Sequence, residues 1–321
     1  MTVKNIQTKA IGGFLELELP LSINNKLSSM LSCGRSGLAW ILKHIHCDKL
    51  YIPYYICPVV PELLTEKGIK FEYYHVNKFL MPEKIPSLLE NEYFLYVNYF
   101  GIKDSACDRL SEQLGSKLIL DLTQAFFYDV PSQIKSFTSA RKFFGVPDGC
   151  TISGVTVAGI SDLPRYNGAG NAGHLLLRQD GKLPEGYTEF VKHESTLGDM
   201  LQISELSENM LQRIDCSSVE NRRIENFSVL HDALGKINQL KDLTPCASLC
   251  YPLLLENGHE IKKELCENKI FVPTYWPNLD IREKLIATEK NFVDNLICLP
   301  MDQRYSSIDM EYIKNKLSEL F

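Results

Sequence analysis

The chain has 321 residues and carries 34 Lys and Arg against 40 Asp and Glu, a formal net charge of −6 with a sequence pI of about 5.7. Hydrophobic residues make up 45% and charged residues 23%, the balance of an ordinary soluble globular protein, and the length suffices for one large domain or two of usual size. No basic run is present to neutralise a phosphate backbone, which argues against a nucleic-acid surface and leaves room for a small anionic ligand.

The amino-terminal MTVKNIQTKAIGG lacks the apolar core of a signal peptide, and no run of about 18 apolar residues occurs. The expectation is a cytoplasmic protein without a membrane span. From about residue 27 to 157, apolar and β-branched runs alternate with segments of helical period, the pattern of βαβ units around a mainly parallel sheet. Strands are expected at LYIPYYI from Leu50, KFEYYHV from Lys70, EYFLYVNYF from Glu92, KLILDL from Lys117 and CTISGVTV from Cys150. Helices are expected at GRSGLAWILKHI from Gly34, PVVPELLTEKG from Pro58 and CDRLSEQLG from Cys107, the last stopped by Gly115. Strands so continuously apolar belong to a sheet covered on both faces.

Residues 161–198 concentrate Gly, Asn, Asp and Pro and read as a long loop or excursion. From Asp199 to about Leu240 the pattern is helical, with Leu201, Leu206, Met210, Leu211 and Ile214 on one face, as in a long helix linking two domains. The remainder offers strands CASLCYPLLLE, KIFVPTYW and NLICLPM and helices from His259, Ile281 and Ile308, which suits a small α+β domain. The division expected is 1–230 for a large α/β domain and 231–321 for the smaller one. The ten cysteines sit mostly inside apolar segments, Cys33, Cys57, Cys150, Cys250 and Cys298 among them, and read as buried reduced thiols.

Three patterns carry little chemistry. Gly168-Ala169-Gly170-Asn171-Ala172-Gly173 matches G-x-G-x-x-G, but it lacks the adjoining strand and the long helix that a dinucleotide site needs. His44, His46, Cys47 and Asp48 are metal-ligand types, yet residues i and i+2 on a helix diverge, so no metal site is expected. Asn226-Phe227-Ser228 is a glycosylation sequon inside a helical stretch.

The informative region is 117–149. An apolar strand ends in Asp121, the sheet edge at which α/β proteins bind ligands, followed three residues later by Gln124. Further on, Lys142 stands between Arg141 and the pair Phe143-Phe144. Desolvation and a neighbouring cation both favour the free amine, the form that makes imines. A pyridoxal phosphate enzyme needs such a lysine together with a carboxylate that keeps the pyridine nitrogen protonated, and Asp121 and Lys142 could be that pair.

These residues resemble the DegT/DnrJ sugar-aminotransferase family, pyridoxal phosphate enzymes of the aspartate-aminotransferase fold. The family's Gly-Thr-x-Ala-Leu turn, which holds the cofactor phosphate at a helix N-terminus, corresponds to Cys33-Gly34-Arg35-Ser36-Gly37-Leu38. The strand ending Pro53-Tyr54-Tyr55-Ile56-Cys57 is where the family supplies a ring that stacks on the cofactor, either Tyr54 or Tyr55. Asn98-Tyr99-Phe100-Gly101 resembles a His-Tyr-Phe-Gly segment, and Asp121-Leu122-Thr123-Gln124-Ala125 resembles the segment in which Asp121 would face the ring nitrogen and Gln124 the ring hydroxyl. Ser136-Phe137 and Ser139-Ala140-Arg141-Lys142 resemble the stretch with the Schiff-base lysine, Ser136 or Ser139 contacting phosphate. Val272-Pro273-Thr274-Tyr275-Trp276 and Leu299-Pro300-Met301 are similar to strands of the family's C-terminal domain.

The resemblance implies a three-layer, mainly parallel domain of the pyridoxal phosphate transferase type I with a smaller C-terminal α+β domain. It implies a homodimer that aminates a keto sugar linked to a nucleotide, using an amino acid donor. Three departures stand out: the chain is shorter than usual for the family, Arg35 replaces the usual Thr, and the loop at Gly198 to Ser204 does not match. The first two motivate an alternative in which the fold serves as a cofactor- or sugar-binding or regulatory protein without transamination. Lys142 itself counts against a dehydratase, since the family's dehydratases carry histidine there.

Overall fold

The computed structural model describes residues 17–23, 31–198, 200–277 and 282–320. The amino-terminal segment read above, Asp199 and Ile281 lie outside the described residues. Helix α1 (Gly34–His44) leads to β1 (Lys49–Pro53), α2 (Val59–Glu66), β2 (Lys70–Tyr74), β3 (Glu92–Val97), α3 (Asp104–Leu114), β4 (Leu118–Leu122), β5 (Lys135–Thr138) and β6 (Ile152–Ser153). These strands form one sheet in the order β2-β1-β3-β4-β5-β6, all parallel except β6. Every position of β4 is buried, as expected for a central strand with helices on both faces. The fold class is therefore the α/β arrangement that the alternating runs predict.

Sequence pattern misses β5, because three of its four residues are polar. Lys135 nevertheless fits a buried strand by running its apolar stem along the sheet and donating from Nζ to the Ser116 carbonyl at 2.6 Å. The strand expected from Cys150 shrinks to the two residues of β6. Helix α1 lies close on the sheet at Gly37, where an added Cβ would stand 2.6 Å from Cys150 Sγ and 2.9 Å from Phe137 Cβ.

The expected long loop at 161–198 is instead largely a helical hairpin, α4 (Gly173–Gln179) and α5 (Leu183–Thr196). Its turn uses Gly181 at φ +76°, and Pro184 sits in the first turn of α5, where its missing N–H costs nothing. The residues that look like loop formers are thus the punctuation of two helices. The single helix expected from Asp199 is also divided, into α6 (Glu205–Leu211) and α7 (Cys216–Leu234), with Asp215 capping α7 through Ser218 N at 3.1 Å.

The C-terminal part pairs β7 (Tyr251–Leu254) antiparallel with β8 (Leu296–Leu299), with α8 (Gly258–Glu267), α9 (Ala287–Asn295) and α10 (Ser307–Ser318) around them. The segment KIFVPTYW forms no strand; Pro273 removes a ladder donor and the two-stranded sheet does not extend to it. Helix α7 runs across residue 230 and packs on both α10 and β7. Asn226, the sequon residue, is buried there and donates to the carbonyls of Met301 at 3.1 Å and Tyr305 at 3.0 Å. All ten cysteines are free thiols. No helix of the described residues is long and apolar enough to cross a membrane.

Candidate active site

Register places the site at the carboxyl edge of the sheet. Asp121 on β4 lies beside Val97 of β3 and Phe137 of β5, and the chain beyond β5 turns through a short 3-10 segment, 140–142, that carries Lys142. Asp121 is 5% exposed and accepts from Thr123 N at 2.9 Å, the local turn that an aspartate favours after a strand. Lys142 Nζ donates to Thr123 Oγ1 at 3.1 Å. Burial raises the Asp121 pKa while the Lys142 charge opposes the rise. Burial lowers the Lys142 pKa against the opposing pull of Asp121. Each group thus favours its neutral form by desolvation and its charged form through the other.

Helix α1 brings its N-terminus to the same turn. A Cβ at Gly34 would lie 2.9 Å from Thr123 Cγ2 and 3.6 Å from the Thr138 carbonyl, so only glycine lets the backbone approach. The Cys33 N-cap makes no side-chain cap bond and the first turn holds no acidic residue, which leaves the helix end electrostatically receptive to an anion. Ser36 is buried and engaged with Ser32 Oγ at 3.0 Å and Cys33 Sγ at 3.4 Å. Arg35 donates from Nη2 to the Glu194 carbonyl at 2.9 Å, and Arg141 forms an ion pair with the Glu194 carboxylate.

Gln124 is buried, with Oε1 accepting from Phe100 N at 2.7 Å and Nε2 without a partner among the described residues. Ser139 is buried at the start of the turn that carries Lys142. Ser136 is buried too, but strand alternation directs it away from the face on which Phe137 packs beneath α1. The structure therefore draws Asp121, Gly34, Arg35, Ser139 and Lys142 together and separates Ser136 from the α1 N-terminus.

Of the two tyrosines, Tyr54 stacks on Tyr73 and His75 at centroid distances of 4.6 and 4.4 Å. Tyr55 is wholly buried among Tyr99, Trp276 and Phe292, its hydroxyl unpaired. The member of that segment that interacts electrostatically with Lys142, Asp121 and Arg35 is Cys57, whose thiol is pushed up chiefly by burial. Sequence reading passes over Thr123, Cys57 and Glu194. Thr123 carries a signal, being two residues after the strand-end aspartate, whereas Glu194 lies in the hairpin that composition disguises.

No family model matches the chain, and no curated protein does. Solved structures do match. The sugar aminotransferase CalS13 from Micromonospora echinospora superposes with a TM-score of 0.61 at 11% identity, covering 91% of this chain and 87% of that one. A DegT DnrJ EryC1 StrS aminotransferase from Brucella abortus gives 0.58 at 13% identity, covering 91% and 85%. Spr1654 from Streptococcus pneumoniae, described as a sugar aminotransferase and solved in its PLP form, gives 0.58 at 15%, covering 89% and 85%. The fold is that of the sugar aminotransferases of the DegT/DnrJ type, as the motifs predict.

Proposed function

We propose that this chain is a pyridoxal phosphate dependent aminotransferase whose substrate is a keto sugar linked to a nucleotide, with an amino acid as donor. The observation that carries the reading is the Lys142–Thr123–Asp121 group, its carboxylate buried and its amine and hydroxyl half-buried, set against the N-terminus of α1, which has no side-chain cap. Residues of this kind fit a pyridine bearing a phosphate: a buried carboxylate, a desolvated amine, a glycine-lined helix end, and an orphaned buried amide at Gln124 Nε2. The CalS13, Brucella and Spr1654 likenesses support the same class.

When bound, the cofactor supplies an electron sink for the substrate carbon. Lys142 would hold it through Nζ, an amine whose pKa burial lowers. The same Nζ, positioned by Thr123 Oγ1, would give and take the proton at the substrate carbon. Asp121, whose pKa burial raises while the Lys142 charge opposes the rise, would hold the pyridine nitrogen protonated. Gln124 Nε2 would donate to the ring hydroxyl, while the α1 backbone, Arg35 and Ser139 would hold the phosphate. The proposed large unit over 1–230 holds these groups beside a smaller unit over 231–321, in a cytoplasmic homodimer.

The deciding experiment is the visible spectrum of the purified protein with pyridoxal 5′-phosphate, followed by borohydride reduction and peptide mapping. A band that disappears on reduction, with the label on Lys142, supports the reading. A label elsewhere, or its retention in Lys142→Ala, overturns it.

A further inference from the structure

Glu194 joins two guanidiniums that sequence places 106 residues apart. Its backbone carbonyl accepts from Arg35 at 2.9 Å, and its carboxylate pairs with Arg141. Arg35 belongs to the first turn of α1, and Arg141 immediately precedes Lys142. Two half-buried cations therefore meet at one residue, one on its carbonyl and one on its carboxylate, beside a helix N-terminus that is itself positive, an excess of positive charge that suits an anion. Each guanidinium has five N–H groups and gives one to Glu194 in these bonds, so the planar fork retains donors for a second anion.

We propose that Arg35 and Arg141 form a paired guanidinium clamp for a phosphate group at the N-terminus of α1, with Glu194 as the positioning residue that spaces them. The inference deepens the reading of the site as a pyridoxal phosphate centre and rests on it for the source of the phosphate. The cofactor's phosphate is favoured over a substrate diphosphate, because α1, Thr123 and Lys142 meet at the same turn. Phosphate recognition here is then built from side chains of one subunit: Arg35 takes the place of the usual threonine, and Arg141 adds a second charge. Charge-assisted pairs of this kind give the site a strong preference for the phosphorylated form of its cofactor.

The test compares dissociation constants for pyridoxal 5′-phosphate, for pyridoxal and for uridine diphosphate as a nucleoside-diphosphate probe. It uses full-length wild type, Arg141→Gln, Arg141→Lys, Glu194→Ala and Glu194→Gln. Arg141→Gln is expected to weaken pyridoxal 5′-phosphate about tenfold or more, the loss of one charge-assisted bond, and to leave pyridoxal unchanged. Arg141→Lys keeps the charge without the fork and should fall between. Glu194→Ala should weaken the phosphorylated form several-fold, and Glu194→Gln, which keeps an acceptor for Arg141, should restore most of it. Loss confined to uridine diphosphate assigns the clamp to a substrate diphosphate, and equal losses for pyridoxal and its phosphate overturn it. Thermal stabilisation by inorganic phosphate reads the clamp without any lysine chemistry. A wild type that binds phosphate through Arg141 but forms no reducible link would thus sink the enzyme reading alone.

Discussion

Lys142 owes its character to opposed influences of known sign. Burial favours the free amine, while Asp121 favours the ammonium. The pH midpoint for forming the reducible link with pyridoxal 5′-phosphate should therefore lie below the ordinary lysine value of about 10.4. Replacing Asp121 by Asn removes the charge that holds the proton on Nζ, so the midpoint should move lower still. Absorbance titrations of both proteins check this, and a wild-type midpoint at the ordinary value, or an upward shift in Asp121→Asn, contradicts it. Sequence reading puts these two residues forward because a carboxylate ending an apolar strand and a lysine set before aromatic residues together have the chemistry that a pyridoxal phosphate site needs. Thr123 is less legible: its role exists only after the turn at Asp121 folds back on Lys142. Glu194 is illegible, since nothing local marks a surface glutamate as the bridge between two arginines.

At the level of elements, α5 is the part that composition hides, and it is pinned by a buried histidine. His193 is 3% exposed; its Nε2 donates to the Pro147 carbonyl at 2.7 Å, and its Nδ1 lies 3.1 Å from the Tyr166 hydroxyl. Burial, aided by the Arg141 charge, brings its pKa down to about 4. A base whose folded pKa is depressed binds its proton more readily when unfolded, so stability is lost as pH falls from about 6.5 towards 4. That linkage amounts to about 2 kcal/mol between pH 7 and pH 5. Urea unfolding of wild type and His193→Gln at both pH values should show the variant's pH dependence smaller by that amount. A neighbouring buried carboxylate, Asp148, ties the start of α6 to the loop after Lys142 by accepting from Ser204 N at 2.8 Å and from Ser204 Oγ at 2.6 Å. Helix α1 gives the contrasting case. Gly37→Ala should destabilise despite its gain in helix propensity of about 1 kcal/mol, because the new methyl meets Cys150 Sγ and Phe137 Cβ, and Gly37→Val should cost about 1–3 kcal/mol. Thermal denaturation decides it, and an Ala variant more stable than wild type refutes the tight packing. The strands β1 to β4 and the helices α1 to α3 are readable because each has a clean period. The hairpin and β5 are not, because helix-stopping residues and buried polar residues acquire their meaning from contacts distant in sequence.

Across the whole molecule, one face of α7 fastens the C-terminal part to the loop that carries Lys142. Arg223, 1% exposed, donates to the Ser248 carbonyl at 2.8 Å, to Gln303 Oε1 at 3.0 Å and to the Phe143 carbonyl at 3.3 Å. Its guanidinium lies 4.7 Å from the centre of the Phe143 ring, and Gln303 Nε2 donates to the same Phe143 carbonyl at 2.7 Å. Asn226, three residues further along α7, bonds only to carbonyls of 301–305. The buried Glu289 makes a second tie, joining α9 to the end of β2 by accepting from Val76 N at 2.9 Å and meeting His75 Nδ1 at 3.0 Å. The two α7 residues therefore separate stability from site geometry. Arg223→Met and Asn226→Ala both leave buried carbonyls without donors and should each lower unfolding free energy, by about 2–4 and about 1–3 kcal/mol respectively. Only Arg223→Met takes a donor and a ring-stacked cation away from Phe143, leaving Gln303 alone on that carbonyl, so only that variant should also slow reducible-link formation with pyridoxal 5′-phosphate, measured well below its denaturation midpoint. Equal slowing in both variants would mean that lost stability, rather than the grip on Phe143, governs the lysine.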